Sequence, residues 1–299
     1  MPGADGGQLY YRVLGTGQDS ILVIHGGPGA GMHSILPSLK PFADEYVLVF
    51  YDQRGGGRST LPADTTKLQA EYFVEDLEAV RTHFNFEKMN VITHSFGSVL
   101  LAKYATQYPN RIKRAVFHGA TGPRRASMIQ MFKKKAELAP PSPDTVLSKR
   151  ASTLLESLLE GSASNPIAAC REYEIINKKL AQARGETTDY KGTTCRGTAE
   201  AVRYYYHKTA QITPRSFGNW DLTTKLNNFQ APLMVIYGKR DSLAIPSQQE
   251  WINSVPNGRL LLVPDAHKGA FSDNPDYVFP AADTFFSGHW PETAQKPLK

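Results

Sequence analysis

The feature that most constrains the fold of this chain is a series of short, continuous apolar runs separated by stretches of helical periodicity. The runs resemble buried strands; they are Ile21–Ile24, Tyr46–Tyr51, Met89–Thr93, Ala115–His118, Leu233–Tyr237 and Leu260–Val263. Apolar side chains recur at helical spacing in between, as at 70–84 and 97–108. Solid apolar runs are typical of strands that are buried on both faces. We therefore predict an α/β fold with a mostly parallel sheet and helices on both faces, with an additional edge strand at 8–15.

A long polar and helical segment interrupts this strand pattern. It begins at Gly122-Pro123 and ends near Phe217, after which the apolar runs return. We therefore predict a core domain made of residues 1–121 and 218–299, and a helical insertion at 122–217. A chain of 299 residues suits one large α/β domain with such an insertion.

Composition excludes several classes of protein. The net charge of +6 comes from short clusters rather than from a continuous basic stripe, so we expect no nucleic-acid partner. No apolar run is long enough to cross a membrane, and the Gly-rich start has no apolar leader segment. We therefore expect a cytoplasmic protein without a membrane partner; the oligomeric state is left open. Cys170 and Cys195 have neither a metal-binding spacing nor a disulfide framework. We expect free thiols, although one bridge remains possible.

The pentapeptide His25-Gly26-Gly27-Pro28-Gly29 directly follows the first buried run. Its glycines allow a sharp turn and leave backbone N–H groups unshielded by side chains. Such groups can stabilise an anion that develops during a reaction. The segment alone could be a simple turn, so its interpretation depends on a nucleophile, an acid and a base elsewhere in the chain.

Ser95 is the candidate nucleophile. It lies where the run at 89–93 turns into a helix, with small residues at Gly97 and Ser98. This resembles a Gly-x-Ser-x-Gly elbow in which Thr93 replaces the first glycine. A serine that caps a helix is the structural alternative. If Ser95 is the nucleophile, the oxyanion would be held by the backbone N–H groups of Phe96 and Gly27.

Asp241 and His267 are the candidate acid and base. Each follows one of the last two apolar runs, which places both at the carboxyl edge of the sheet. The order Ser95, Asp241, His267 is the one expected for this class of sheet. His94 is a weaker candidate because the turn points it elsewhere, and Asp265 is more simply explained by a turn.

Together these residues resemble the α/β-hydrolase superfamily and, within it, the proline iminopeptidase family. The pentapeptide, the block Asp52-Gln53-Arg54-Gly55-Gly56-Gly57-Arg58-Ser59 and the Ser95 elbow carry the resemblance. The resemblance implies an α/β-hydrolase fold, a helical cap corresponding to 122–217, and an Asp52–Arg54 loop that supports the site. In the pentapeptide, we expect His25 to order the loop by hydrogen bonding.

The resemblance also implies cap glutamates that bind the free N-terminal ammonium of a peptide, because carboxylates pair with cations. Tyr173-Glu174 matches the aromatic-Glu pair of the family. The second family glutamate falls near Arg203, before Tyr204-Tyr205-Tyr206, where an arginine would repel an ammonium. Glu200 could substitute for it, and Tyr205 could contribute to the pocket wall.

The sequence thus supports three hypotheses. The first is a serine hydrolase that cleaves N-terminal residues, proline preferred, from small peptides, without metal or cofactor. The second is a carboxylesterase, lactonase or amidase that acts on a small hydrophobic metabolite with the same triad; Thr93 and Arg203 favour it. The third is a non-catalytic ligand-binding protein on a hydrolase fold.

Overall fold

A computed structural model of the chain describes residues 1–138, 140, 142, 144–185 and 190–297. Within these residues, seven strands form one sheet in the order β1-β3-β2-β4-β5-β6-β7. The strands are β1 (Tyr11–Leu14), β2 (Ser20–Ile24), β3 (Val47–Tyr51), β4 (Met89–His94), β5 (Ile112–His118), β6 (Leu233–Gly238) and β7 (Gly258–Val263). β1 pairs antiparallel with β3, and the other pairs are parallel. The mostly parallel sheet that the apolar runs predict is confirmed.

The helices follow the strands in alternation or fill the segment between β5 and β6. They are α1 (Leu36–Leu39), α2 (Ala70–His83), α3 (Gly97–Gln107), α4 (Arg125–Leu138), α5 (Thr145–Glu160), α6 (Pro166–Ala183), α7 (Ala199–Tyr204), α8 (Ala210–Ser216), α9 (Ile245–Asn253), α10 (Ala270–Asp273) and α11 (Pro275–Phe286). A π-helical turn at Tyr205–Thr209 joins α7 to α8. No described helix has the length and apolar character needed to span a lipid bilayer.

The sheet is covered by apolar side chains on both faces. Successive residues of β2 belong to different clusters: Leu22 and Ile24 pack with α2 and α3, while Ile21 and Val23 pack with α1 and α11. This alternation follows from the two-residue period of a strand. It explains why the buried strands are apolar at every position.

The helices between β5 and β6 have small apolar clusters of their own. One cluster contains Leu158, Val202 and Tyr206, and another contains Leu154 and Ile176. The division into a core and a cap at 122–217 stays a prediction, but the helical character of the segment is plain from α4 to α8. We refer to 122–217 as the helical insertion.

The expectation of free thiols is wrong. Cys170 of α6 and Cys195 form a disulfide, with their Cα atoms 5.6 Å apart. The pairing depends on how the segment after α6 folds back along that helix, and two cysteines 25 positions apart carry no sign of it.

Candidate active site

Ser95 occupies the turn between β4 and α3. Its φ angle is +52°, in the left-handed region that a non-glycine residue adopts only at a cost of about 1–3 kcal/mol. The turn is held by a hydrogen bond from Ser95 N–H to the His118 carbonyl (3.1 Å) and by one from Thr121 N–H to the Ser95 carbonyl (3.2 Å). Such strain is typical of a nucleophile that a turn presents to a ligand.

Thr93 and Gly97 fit the elbow in different ways. Thr93 is fully buried in β4, between Ile24 of β2 and Phe117 of β5, so the sheet accommodates its side chain. At Gly97, an added Cβ would lie 2.6 Å from the Ile24 carbonyl oxygen, so only glycine fits without movement. The replacement of the first family glycine by Thr93 therefore leaves the turn intact.

The two candidate oxyanion donors lie on segments that pack against each other. A Cβ added at Gly26 would lie 2.8 Å from Ser95 Cβ and 3.5 Å from the Phe96 nitrogen. Among the described residues, neither Gly27 N–H nor Phe96 N–H has a hydrogen-bond acceptor. Unpaired amides beside a strained serine are the arrangement that an oxyanion needs.

His25 orders the glycine loop through Gln53. The Gln53 backbone N–H donates to His25 Nε2 (3.1 Å), so the hydrogen of the imidazole is on Nδ1, which donates to the Gly26 carbonyl (2.8 Å). The Gln53 side chain donates to the His25 carbonyl (2.8 Å) and accepts from Gly29 N–H (3.1 Å). Burial lowers the pKa of His25 to about 4, although its bond to Gly26 opposes this shift. His25 is therefore a neutral structural residue at physiological pH.

Asp52 ties the loop after β3 to the same region. Its carboxylate accepts from Met32 N–H (2.6 Å) and from Arg58 N–H (2.9 Å). Burial raises the pKa of Asp52, while these two hydrogen bonds oppose the shift. A Cβ at Gly57 would lie 2.2 Å from the Asp52 carboxylate, which explains the glycine there.

Arg54 joins the loop after β3 to α2 and to the amino-terminal segment. Its guanidinium makes a bidentate pair with Asp76, with Nε and Nη2 each 2.6 Å from a carboxylate oxygen. A further bond joins it to Asp5 at 3.2 Å. Both Arg54 and Asp76 are buried, so the pair fixes the loop after β3 against α2.

The loops that contain the two glycine motifs, 25–29 and 52–59, pack on each other and on the helical insertion. A Cβ at Gly56 would lie 1.8 Å from the Gly29 carbonyl oxygen, so the backbones are in contact. Thr209, in the π-helical turn, donates to the Gly55 carbonyl (2.7 Å). A Cβ at Gly29 or at Gly55 would lie 2.4 Å from the Thr209 side chain. The glycines of both motifs thus make room for each other and for Thr209.

Asp241 and His267 lie beyond β6 and β7 and line one cavity of about 920 Å³, but they are not hydrogen-bonded to each other. The Asp241 carboxylate accepts from Lys135 Nζ (2.7 Å) and from the Tyr237 hydroxyl (2.9 Å). The bond that His267 makes is from its backbone N–H to Asp273 (2.8 Å). Among the described residues, no hydrogen bond joins the His267 imidazole to Ser95 or to Asp241.

Lys268, which belongs to none of the sequence motifs, contacts the candidate nucleophile. Its Nζ donates to Ser95 Oγ at 3.0 Å. The residue is exposed as a whole, and its ammonium is only partly surrounded by protein atoms. This burial and the nearby charge of Lys135 lower the pKa of Lys268 to about 8, against the opposing charge of Asp241. The sequence signal for Lys268 is its position directly after His267, which places it at the carboxyl edge of the sheet.

Neither of the two weaker candidates, His94 and Asp265, hydrogen-bonds to Ser95, Asp241 or His267 within the described part of the chain. His94 is buried, and its Nδ1 is 3.2 Å from that of His118. Asp265 is exposed and pairs with Arg240 at 2.9 Å.

The candidate residues of the insertion separate into different environments. Glu174 accepts hydrogen bonds from the Thr193 hydroxyl (2.7 Å) and from both the N–H (2.8 Å) and the hydroxyl (3.0 Å) of Thr194. Arg203 donates to the Ala163 carbonyl (3.2 Å). Glu200 is exposed and makes no hydrogen bond or ion pair with the described part of the chain.

Tyr205 lies beside the glycine loop. A Cβ at Gly29 would lie 3.6 Å from the Tyr205 ring. Burial raises the pKa of Tyr205, and the charge of Glu174 contributes to this shift. Burial and the same carboxylate also raise the pKa of Tyr190, whose ring stacks on His94 with centroids 6.3 Å apart. The charge of Glu174 therefore acts on two tyrosines that border the candidate site.

Known proteins resemble this chain over most of its length. A proline iminopeptidase of Saccharolobus solfataricus is 26% identical over 282 residues, covering 90% of this chain and 84% of the relative. One of Heyndrickxia coagulans is 37% identical over 101 residues, about a third of either protein. Curated relatives of this name confirm the resemblance that the motifs indicate.

Solved structures show the same fold. A proline iminopeptidase of Mycobacterium smegmatis superposes with a TM-score of 0.66 at 20% identity, covering 96% of this chain and 97% of the other. Est816, described as an N-acyl homoserine lactone degrading enzyme, gives 0.62 at 19% identity, covering 94% and 98%. The family model for the alpha/beta hydrolase fold matches residues 19–275. With the sheet order, the Ser95 elbow and this match in agreement, the chain belongs to the α/β-hydrolase family.

Proposed function

We propose that this protein is a serine hydrolase that removes N-terminal residues, proline preferred, from small peptides through an acyl-enzyme. The observation that carries the proposal is Ser95, strained at φ +52° between β4 and α3, beside the unpaired N–H groups of Gly27 and Phe96. A serine in this position can attack a carbonyl while both amides and the helix N-terminus stabilise the oxyanion.

In the proposed reaction, Ser95 Oγ attacks the carbonyl carbon of the scissile bond, and His267 takes the hydroxyl proton. The tetrahedral intermediate collapses, the C–N bond breaks, and His267 returns the proton to the leaving amine. Water then attacks the acyl-enzyme with His267 again as base, the bond between the acyl carbon and Ser95 Oγ breaks, and His267 returns the proton to Oγ as the acid leaves. Because Lys268 holds Ser95 Oγ in this structure, the reaction requires His267 to take that place and Asp241 to orient it.

Glu174 supports recognition of an amine. Its charge helps to raise the pKa of Tyr205 and that of Tyr190, both of which border the site. The three hydrogen bonds from Thr193 and Thr194 fix its orientation and leave one of about four lone-pair positions for an ammonium. In this proposal, Glu174 anchors the free N-terminus.

A second candidate function is a carboxylesterase, lactonase or amidase that acts on a small metabolite. The exposed position of Glu200 favours it, because a second ammonium ligand is then missing from the described site. Arg203 in its place adds a cation rather than a carboxylate. Both candidates use the same triad and differ in the substrate.

Hydrolysis of proline β-naphthylamide and of p-nitrophenyl esters separates the two functions. The peptidase predicts release of proline, with Glu174→Gln raising KM for the proline substrate and leaving ester hydrolysis unchanged. Glu172→Gln is the matched control, since Glu172 pairs with Arg150 on the surface. Ester hydrolysis without any release of proline would reject the peptidase in favour of the esterase.

A further inference from the structure

Lys268 places a positive charge beside Ser95 Oγ. The proposed reaction has no role for this charge. Its Nζ is 3.0 Å from Ser95 Oγ, and the N–H groups of Gly27 and Phe96 are already assigned to the oxyanion. Among the described residues, no carboxylate lies within ion-pair distance of the Lys268 ammonium. An ammonium that is partly surrounded by protein and has no counter-ion favours a binding partner from the substrate.

The surrounding cavity has an excess of positive charge. Its lining contains four cationic side chains, those of Lys135, Arg184, Arg240 and Lys268, and one carboxylate, that of Asp241. Lys135 already pairs with Asp241 at 2.7 Å. Arg240 pairs in turn with Asp265 at 2.9 Å, so the charge that attracts an anionic group is that of Lys268 beside Ser95 Oγ.

We propose that Lys268 binds the α-carboxylate of the leaving residue, and that the enzyme therefore prefers dipeptides. This inference rests on the proposed function of Ser95 as the nucleophile. In a dipeptide the carboxylate carbon is two bonds from the scissile nitrogen, so a cation beside Ser95 Oγ can reach it. In a longer peptide or a peptide amide, the same place holds a neutral amide, which forms weaker hydrogen bonds with an ammonium.

The same contact explains how Ser95 becomes available to its base. When the carboxylate of a substrate binds Lys268, it replaces Ser95 Oγ as the partner of the ammonium. Ser95 Oγ is then free to hydrogen-bond to the His267 imidazole. The substrate is thus held at two ends, by Glu174 at its ammonium and by Lys268 at its carboxylate.

The first test compares kcat/KM for Pro-Ala and for Pro-Ala amide. The wild type should prefer the free acid by at least about tenfold, the low end for a charge-assisted hydrogen bond. Lys268→Met should abolish this preference and Lys268→Arg should retain part of it. Lys134→Met, an exposed residue of α4, is the matched control and should leave it unchanged. Equal use of acid and amide by the wild type would overturn the proposal.

A second measurement keeps the inference separate from the peptidase function. N-Acetylalanine should slow the labelling of wild-type Ser95 by a fluorophosphonate more than N-acetylalanine amide does, and the difference should vanish in Lys268→Met. If this pattern holds but neither peptide releases proline, the peptidase function fails and the carboxylate site stands. If proline is released from acid and amide equally and neither ligand protects better, the carboxylate site fails and the function stands.

Discussion

Lowering the pH from 7 to 5 should destabilise this fold strongly, because His25, His94 and His118 are all buried. Burial lowers the pKa of His25 to about 4 and, with the charge of Lys268, that of His118 to about 3. Burial together with the charges of His118 and Lys268 sets the pKa of His94 well below its ordinary value of 6.5. These imidazoles stay neutral in the folded protein while the same groups become protonated in the unfolded chain.

The direction and the size of the change in unfolding free energy follow from this difference in proton binding. The unfolded chain binds more protons below pH 6.5, so stability is full above that pH and falls as the pH decreases. For His25 the loss continues until its folded pKa of about 4 is reached. Between pH 7 and pH 5 each such histidine costs about 2 kcal/mol, so His25 and His118 together cost about 4 kcal/mol. This is a large part of the 5–15 kcal/mol typical of a folded domain.

Urea denaturation at pH 7, 6 and 5 measures this loss. His118→Phe removes one of the three buried imidazoles and should make the loss between pH 7 and 5 smaller by about 2 kcal/mol. His83→Gln is the control, because His83 is exposed at the end of α2, and should leave the pH dependence unchanged. A wild-type loss of less than about 1 kcal/mol would show that these buried histidines do not stay neutral in the folded protein at pH 5.

Three further predictions concern the support of the site. Gly56→Ala forces a Cβ to within 1.8 Å of the Gly29 carbonyl oxygen and should cost about 3 kcal/mol or more of unfolding free energy, with loss of activity. Asp76→Asn breaks the buried pair with Arg54 and should cost about 3–5 kcal/mol by urea denaturation, whereas the exposed Asp265→Asn should hardly move the midpoint. Reducing the disulfide of the helical insertion, which closes a loop of 25 residues, should cost about 3 kcal/mol in the same assay with a reductant.

The strands of the sheet could be predicted because burial on both faces leaves a continuous apolar signal. The exceptions have local causes. The edge strand spans Tyr11–Leu14 rather than 8–15, because Gln8 leaves the sheet and pairs with Thr60 through its backbone. β5 begins at Ile112, three residues before the apolar run at 115–118. The charged side chains of Lys113 and Arg114 interrupt the apolar pattern at this end, so the sequence does not indicate that the strand extends there.

The candidate site was predictable only in part. The positions of Ser95, Asp241 and His267 follow from their place after strands, since the carboxyl ends of parallel strands meet at one edge. Their hydrogen bonds do not follow, because these depend on side-chain rotamers and on residues from distant segments. Lys135 of α4 reaches Asp241 across 106 positions of sequence, and no local pattern indicates such a contact.

Covalent labelling shows whether Ser95 is the nucleophile. Intact protein is incubated with a fluorophosphonate, digested, and mapped by mass spectrometry. The adduct should be on Ser95, should be absent in Ser95→Ala, and should form much more slowly in His267→Ala. A wild-type protein that remains unlabelled would contradict this role of Ser95 and favour a ligand-binding protein on a hydrolase fold, and an adduct that persists in Ser95→Ala would contradict it by assigning the nucleophile to another residue.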